Sequence, residues 1–120
     1  MTEKYANLKR RTKVFALDII ALTNSLPNKI SANVIGRQLI RCGTSVGANY
    51  RSAARAKSPA DFIAKMNIVE EEADESGYWM ELLIESGVIS PEATQRLMKE
   101  AEELVAIAVA SIKTARCGSR

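Results

Sequence analysis

Arg37, Arg41, Arg51 and Arg55 follow one another at steps of four, ten and four residues. On a helix those steps put all of them on one face. Thr44 and Ala48 leave a small-residue gap between the pairs. A second basic cluster, Lys9, Arg10, Arg11 and Lys13, stands upstream. Guanidinium and ammonium groups on an exposed helical face suit phosphate oxygens, in contacts that are salt-sensitive and tolerant of sequence. The chemistry expected of these residues is therefore recognition of a nucleic acid. An ordinary solvated face, or pairing with acids, is the competing reading.

The acidic counterpart is Glu70-Glu71-Glu72-Ala73-Asp74-Glu75. Glu71 and Glu75 share a face at the spacing a hard cation would need. Mg²⁺ and Ca²⁺ require converging oxygens, however, and neighbours on one helix diverge. No metal or other cofactor is expected. Glu72 flanks the core side of its helix, within reach of Asn49 or of an arginine on the preceding helix.

The chain has no histidine. That removes His-based acid–base chemistry and the Ser-His and Cys-His nucleophilic pairs. It also removes the Glu-x-x-His ligands of di-iron bundles. Neither GxGxxG nor GxxxxGK[ST] occurs, so no phosphate cradle is indicated. Cys42 and Cys117 make neither a disulfide framework nor a zinc site. No catalytic residue is assigned, and the expected protein is not an enzyme.

The charge is divided along the chain. Through Lys57 there are eleven Lys and Arg against Glu3 and Asp18. From Ser58 to Val105 there are twelve acids against Lys65, Arg96 and Lys99. Such a split points to a charged partner, or to a basic half that folds onto an acidic one.

The elements that carry these groups are helices. Leu8, Thr12, Phe15, Ile19, Leu22 and Leu26 repeat at four-three spacing, as do Ile35, Leu39, Cys42, Val46, Asn49, Ala53 and Ala56. Phe62, Met66, Val69, Ala73, Ser76, Met80 and Leu83 form a third stripe. Leu97, Ala101, Leu104, Ala108, Ser111 and Ala115 form a fourth. Each is the seam of an amphipathic helix. The second seam is small around Gly43, Ser45, Gly47 and Ala48, so that helix should pack closely. Asn49 is its one polar member and needs partners there.

Pro27, Ser58-Pro59 and Ser90-Pro91 punctuate the seams, and Gly87 ends the third. No segment alternates with period two. We expect one all-α domain over residues 1–120, an antiparallel up-down-up-down four-helix bundle with helices at about 8–26, 32–56, 59–86 and 91–116. Asn7 and Ser31 are the expected caps of the first two helices. Ile68, Trp79 and Leu82 lie off the third seam, which means a wider core or, ahead of that, a contact between subunits with Trp79 as its anchor. The N-terminus has no apolar run after its charges, and no stretch is long enough to span a membrane. The cytoplasm is the expected compartment.

The sequence resembles a family of small bacterial proteins encoded within intervening sequences of 23S ribosomal RNA. The resemblance rests on Gln38, Leu39, Arg41, Ser45, Val46 and Asn49 in order. It rests also on the Ser58–Phe62 helix start, on Glu72–Glu75, and on Tyr78-Trp79 with Glu81-Leu82. Many members follow the Asn with Ile-Ala-Glu-Gly, where this chain has Tyr50-Arg51-Ser52-Ala53. The acidic residue is absent and an arginine makes the surface more basic. The resemblance implies a four-helix bundle, often a homopentameric ring, and no known reaction. The family is similar to the accessory variability proteins of diversity-generating retroelements, basic pentamers that work with a reverse transcriptase and RNA. The expected partners are thus a second copy of the chain and RNA or DNA. The alternative is a purely structural module that binds other protein and no nucleic acid.

Overall fold

The computed structural model describes residues 3–118, apart from the side chains of residues 3 and 4. The chain forms α1 (Glu3–Asn24), α2 (Ile30–Ala54), α3 (Pro59–Glu85) and α4 (Pro91–Gly118). Successive helices are antiparallel neighbours in an up-down-up-down bundle some 50 × 21 × 20 Å in extent. No strand occurs among the described residues. One core runs its length, centred on Phe15, Ile19, Leu39, Val46, Met66, Met80 and Leu83.

Helix α1 begins a turn earlier than the sequence reading placed it. Asn7 is an exposed residue within the helix and not its cap. The reason lies in Tyr5, which carries the apolar stripe upstream of Leu8 and stacks on Tyr50. Helix α2 likewise starts at Ile30, with Lys29 and not Ser31 at the cap position, and Lys29 makes no side-chain cap bond. The strong start signal at α3 is realised. Ser58 Oγ accepts the Asp61 N–H at 3.1 Å, and Asp61 Oδ2 accepts the Lys57 N–H at 3.2 Å. The first bond satisfies an amide that the helix start leaves open, and the second ties the residue before the cap to the first turn. At α4, Ser90 Oγ accepts the Ala93 N–H at 3.3 Å.

The seams of α2 and α4 drift from their expected positions. In α2 the core passes from Val46 to Tyr50 and Ala53, while Asn49 is only half-buried. In α4 it passes from Ala108 to Ile112 in place of Ser111. In α4 this is the slip of a 3.5 repeat on a straight helix of 3.6 residues per turn, about 20° per heptad. In α2, Leu39, Val46 and Ala53 keep the expected register, while the other row lies one residue on from the start of the helix, at Gly36 as at Tyr50. Asn49 therefore has no inter-helix task. Its Nδ2 donates to Ser45 O and to Ser45 Oγ, both at 2.9 Å.

Candidate nucleic-acid interface

The predicted basic residues divide into two groups. Arg11 and Arg41 hold the bundle together. Arg11 Nε donates to Glu100 Oε2 at 3.0 Å, and its Nη2 donates to Glu100 Oε1 at 2.7 Å and Glu103 Oε1 at 3.0 Å. This fork ties α1 to α4, helices that otherwise barely touch. Arg96 Nη1 makes a second tie, to Asp18 Oδ2 at 2.9 Å. Arg41 ties α2 to α3, its Nη1 donating to Glu72 Oε2 at 3.2 Å and its Nη2 to Glu75 Oε2.

Glu75 has a further donor, the Trp79 indole N–H at 3.0 Å. The Trp79 bond, then the Arg41 fork, hold the Glu75 carboxyl below its ordinary range. Glu72 thus meets an arginine of the preceding helix, one of its two expected partners, and not Asn49. Glu71 stays exposed, turned away from this group.

The second group is different. At the end of α2, Arg51 shares a hollow with Lys9 and Lys13 of α1, and Arg55 shares one with Lys9. Among the described residues, no carboxylate pairs with any of these four. The antiparallel α1–α2 contact brings them together. Gly43 and Gly47 let α1 lie close, for a Cβ at Gly43 would stand 2.9 Å from Ile19 Cγ1 and one at Gly47 3.2 Å from Thr12 Oγ1. A shallow trough then runs along the outer side of the contact.

Its narrow part, about 210 Å³, is lined by Lys9, Thr12, Lys13, Thr44, Ala48 and Arg51, among others. Its wide part, about 590 Å³, is lined by Tyr5, Lys9, Tyr50, Arg51, Ala54, Arg55 and Phe62. Lys9 and Arg51 border both parts. Arg10 and Arg37 are exposed beyond it.

The aromatic wall of this trough was not read from the sequence. Tyr50 is 8% exposed and stacks on Tyr5 with ring centroids 5.7 Å apart. Burial, and to a lesser degree Tyr5, raises the Tyr50 phenol pKa, so the hydroxyl stays neutral. Phe62 reaches the same place from the first turn of α3. The available signal was Tyr50 itself, four residues after Val46 on α2 and set to meet the start of α1 in an antiparallel hairpin.

The off-seam apolar residues of α3 differ in exposure, and Trp79 stands beside the Arg41 group through its bond to Glu75. Ile68 is 37% and Tyr78 52% exposed. Trp79 and Leu82 are half-buried. Trp79 packs on the core and edge-on to Tyr78 at 5.1 Å between centroids. No helix is long and apolar enough to cross a membrane.

The family model described as "23S rRNA-intervening sequence protein" matches residues 6–110. The fold is similar to a crystal structure from Bacteroides thetaiotaomicron, a protein of unknown function from the S23 ribosomal protein family. The two share 38% identity with a TM-score of 0.84, over 92% of this chain and 98% of that one. No curated protein matches the chain.

Proposed function

Because the chain belongs to the 23S rRNA-intervening sequence protein family, we propose that it is a non-catalytic, self-associating scaffold that binds RNA along the α1–α2 trough. The observation that carries this reading is the sorting of the cations. Arg11 and Arg41 are neutralised by carboxylates, whereas Lys9, Lys13, Arg51 and Arg55 line one groove with no carboxylate partner among the described residues. Like charges so gathered repel one another unless an anion joins them. A phosphate backbone is an anion that several cations in one groove can neutralise together, with release of its counterions. Arg10 and Arg37 extend the field at its edges.

Self-association rests on the partly exposed apolar residues of α3, Ile68, Tyr78, Trp79 and Leu82. A ring, with five subunits favoured, would repeat the trough around its circumference and multiply its affinity.

A second reading has its own observation. The Arg11, Arg41 and Arg96 bridges show basic and acidic helices pairing inside one subunit. In that reading the remaining cations meet acids of a neighbouring subunit, and the assembly binds protein alone.

Light scattering behind a sizing column, with absorbance at two wavelengths, tests both. A multimer carrying nucleic acid, stripped by salt, is the result expected of the first. Trp79→Ala should lower the mass. A multimer that binds no RNA oligonucleotide even at low salt would overturn the first reading and leave the second. A monomer overturns the self-association of both.

A further inference from the structure

The wide end of the trough is more than a place for phosphates. A surface that reads only backbone needs cations and no aromatic cavity. Here Tyr5, Tyr50 and Phe62 come from three helices to one end of the bundle and line a cavity bordered by Lys9, Arg51 and Arg55. The same three rings also wall a second hollow of about 250 Å³, toward Ser111, Thr114 and Ala115 of α4. They stand as a partition with open space on either side. The main cavity, about 590 Å³, falls within the range of small-molecule sites, roughly 300–1,000 Å³.

The bases of a duplex are stacked on each other, and side chains cannot enter the deep, narrow major groove of A-form RNA. An unpaired base can leave its neighbours and lie on an aromatic ring. Tyr50 is held on Tyr5 and nearly buried, while Tyr5 and Phe62 are half-buried and line the cavity. The neutral Tyr50 hydroxyl adds no charge against a phosphate.

We infer that this cavity takes an unstacked base of single-stranded RNA, lying on Tyr5 and Phe62, with its flanking phosphates on Lys9, Arg51 and Arg55. The inference rests on the RNA-binding reading and specifies its ligand as single strand and not duplex.

The test compares ligands on the unaltered protein at one salt concentration. They are a single-stranded RNA oligonucleotide, the same strand annealed to its complement, and an abasic strand with the same phosphates. The single strand should bind about tenfold tighter than either of the others, the usual scale of one stacked base. Tyr5→Ala should erase that margin and Tyr5→Phe should keep it. Lys13→Gln should weaken all three ligands alike.

Equal binding of all three ligands by the wild type would overturn the base pocket while leaving the basic face intact. So would a Tyr5→Ala chain that melts as the wild type does and keeps the margin. Failure of every ligand at low salt would overturn both readings.

Discussion

Two side chains of the same type can have opposite fates, and the cysteines show it. Cys42 is wholly buried on the α2 seam, where Ser76 Oγ donates to its sulfur at 3.3 Å. Burial raises its thiol pKa, with the Ser76 bond opposing. Cys117 is exposed near the end of α4. The thiolate is the reactive form, so a thiol titration of the native protein should report Cys117 alone, with Cys42 appearing only in denaturant. Two rapid thiols in the folded chain would contradict the packing.

Glu75 gives a residue-scale pH prediction. Its folded pKa lies below the ordinary carboxylate value of 4.5 through the Trp79 bond and the Arg41 fork. A depressed acid contributes stability above its unfolded pKa and loses it as pH falls through the folded one. Glu75→Gln should therefore melt lower than wild type at neutral pH. The gap should close in acid, where both side chains are uncharged. A gap that persists there would mean that Glu75 acts through packing and not charge. The basic residues themselves were legible from their helical face, but their division was not. The stripe lies on the crest of α2, whose two edges lean toward different neighbours. Arg41 falls toward the acids of α3 and Arg51 toward the lysines of α1, and sequence spacing alone does not fix which edge meets which helix.

At the scale of the element, helix type and number followed from four-three spacing and from proline punctuation. The boundaries moved where an aromatic contact prolonged a helix, as Tyr5 on Tyr50 does for α1. The close approach around Gly43 and Gly47 was also legible, because two glycines in a helix interior need a reason. The neighbour they admit was not, since only the fold shows it to be α1. This gives a pair of substitutions with opposite signs. Alanine gains about 1 kcal/mol over glycine in helix propensity. At Gly43 the new methyl would stand 2.9 Å from Ile19 Cγ1 and 3.0 Å from Ile19 Cγ2. Overpacking of that kind costs about 1–3 kcal/mol, so Gly43→Ala should lose about 1 kcal/mol net. Gly77 has nothing within 4 Å of its added Cβ, so Gly77→Ala should gain about 0.5–1 kcal/mol. Denaturant melts of the two variants read the signs directly, and a stabilised Gly43→Ala would show that α1 can retreat from α2 at no cost.

Across the whole molecule the charge split resolves into two uses of the same side-chain types, and salt separates them. The bridges from Arg11, Arg41 and Arg96 are partly exposed. Exposed pairs are worth about 0–1 kcal/mol each, while the core along all four helices is apolar and continuous. Screening should therefore shift the melting temperature by only a few degrees. The trough behaves otherwise. Its cations Lys9, Lys13, Arg51 and Arg55 have no carboxylate paired to them among the described residues and are the proposed phosphate contacts. If each neutralises one phosphate of a single strand, log affinity against log salt falls with a slope of about −3 per subunit. Lys13→Gln should reduce that slope by about 0.7, one phosphate's share. Arg41→Gln should leave the slope alone and lower the melting temperature instead, because its charge is already spent on Glu72 and Glu75. The decisive comparison is the pair of variants measured both ways. If Arg41→Gln flattens the salt slope as much as Lys13→Gln does, the bridge opens to bind RNA and the whole arginine stripe of α2 belongs to the interface.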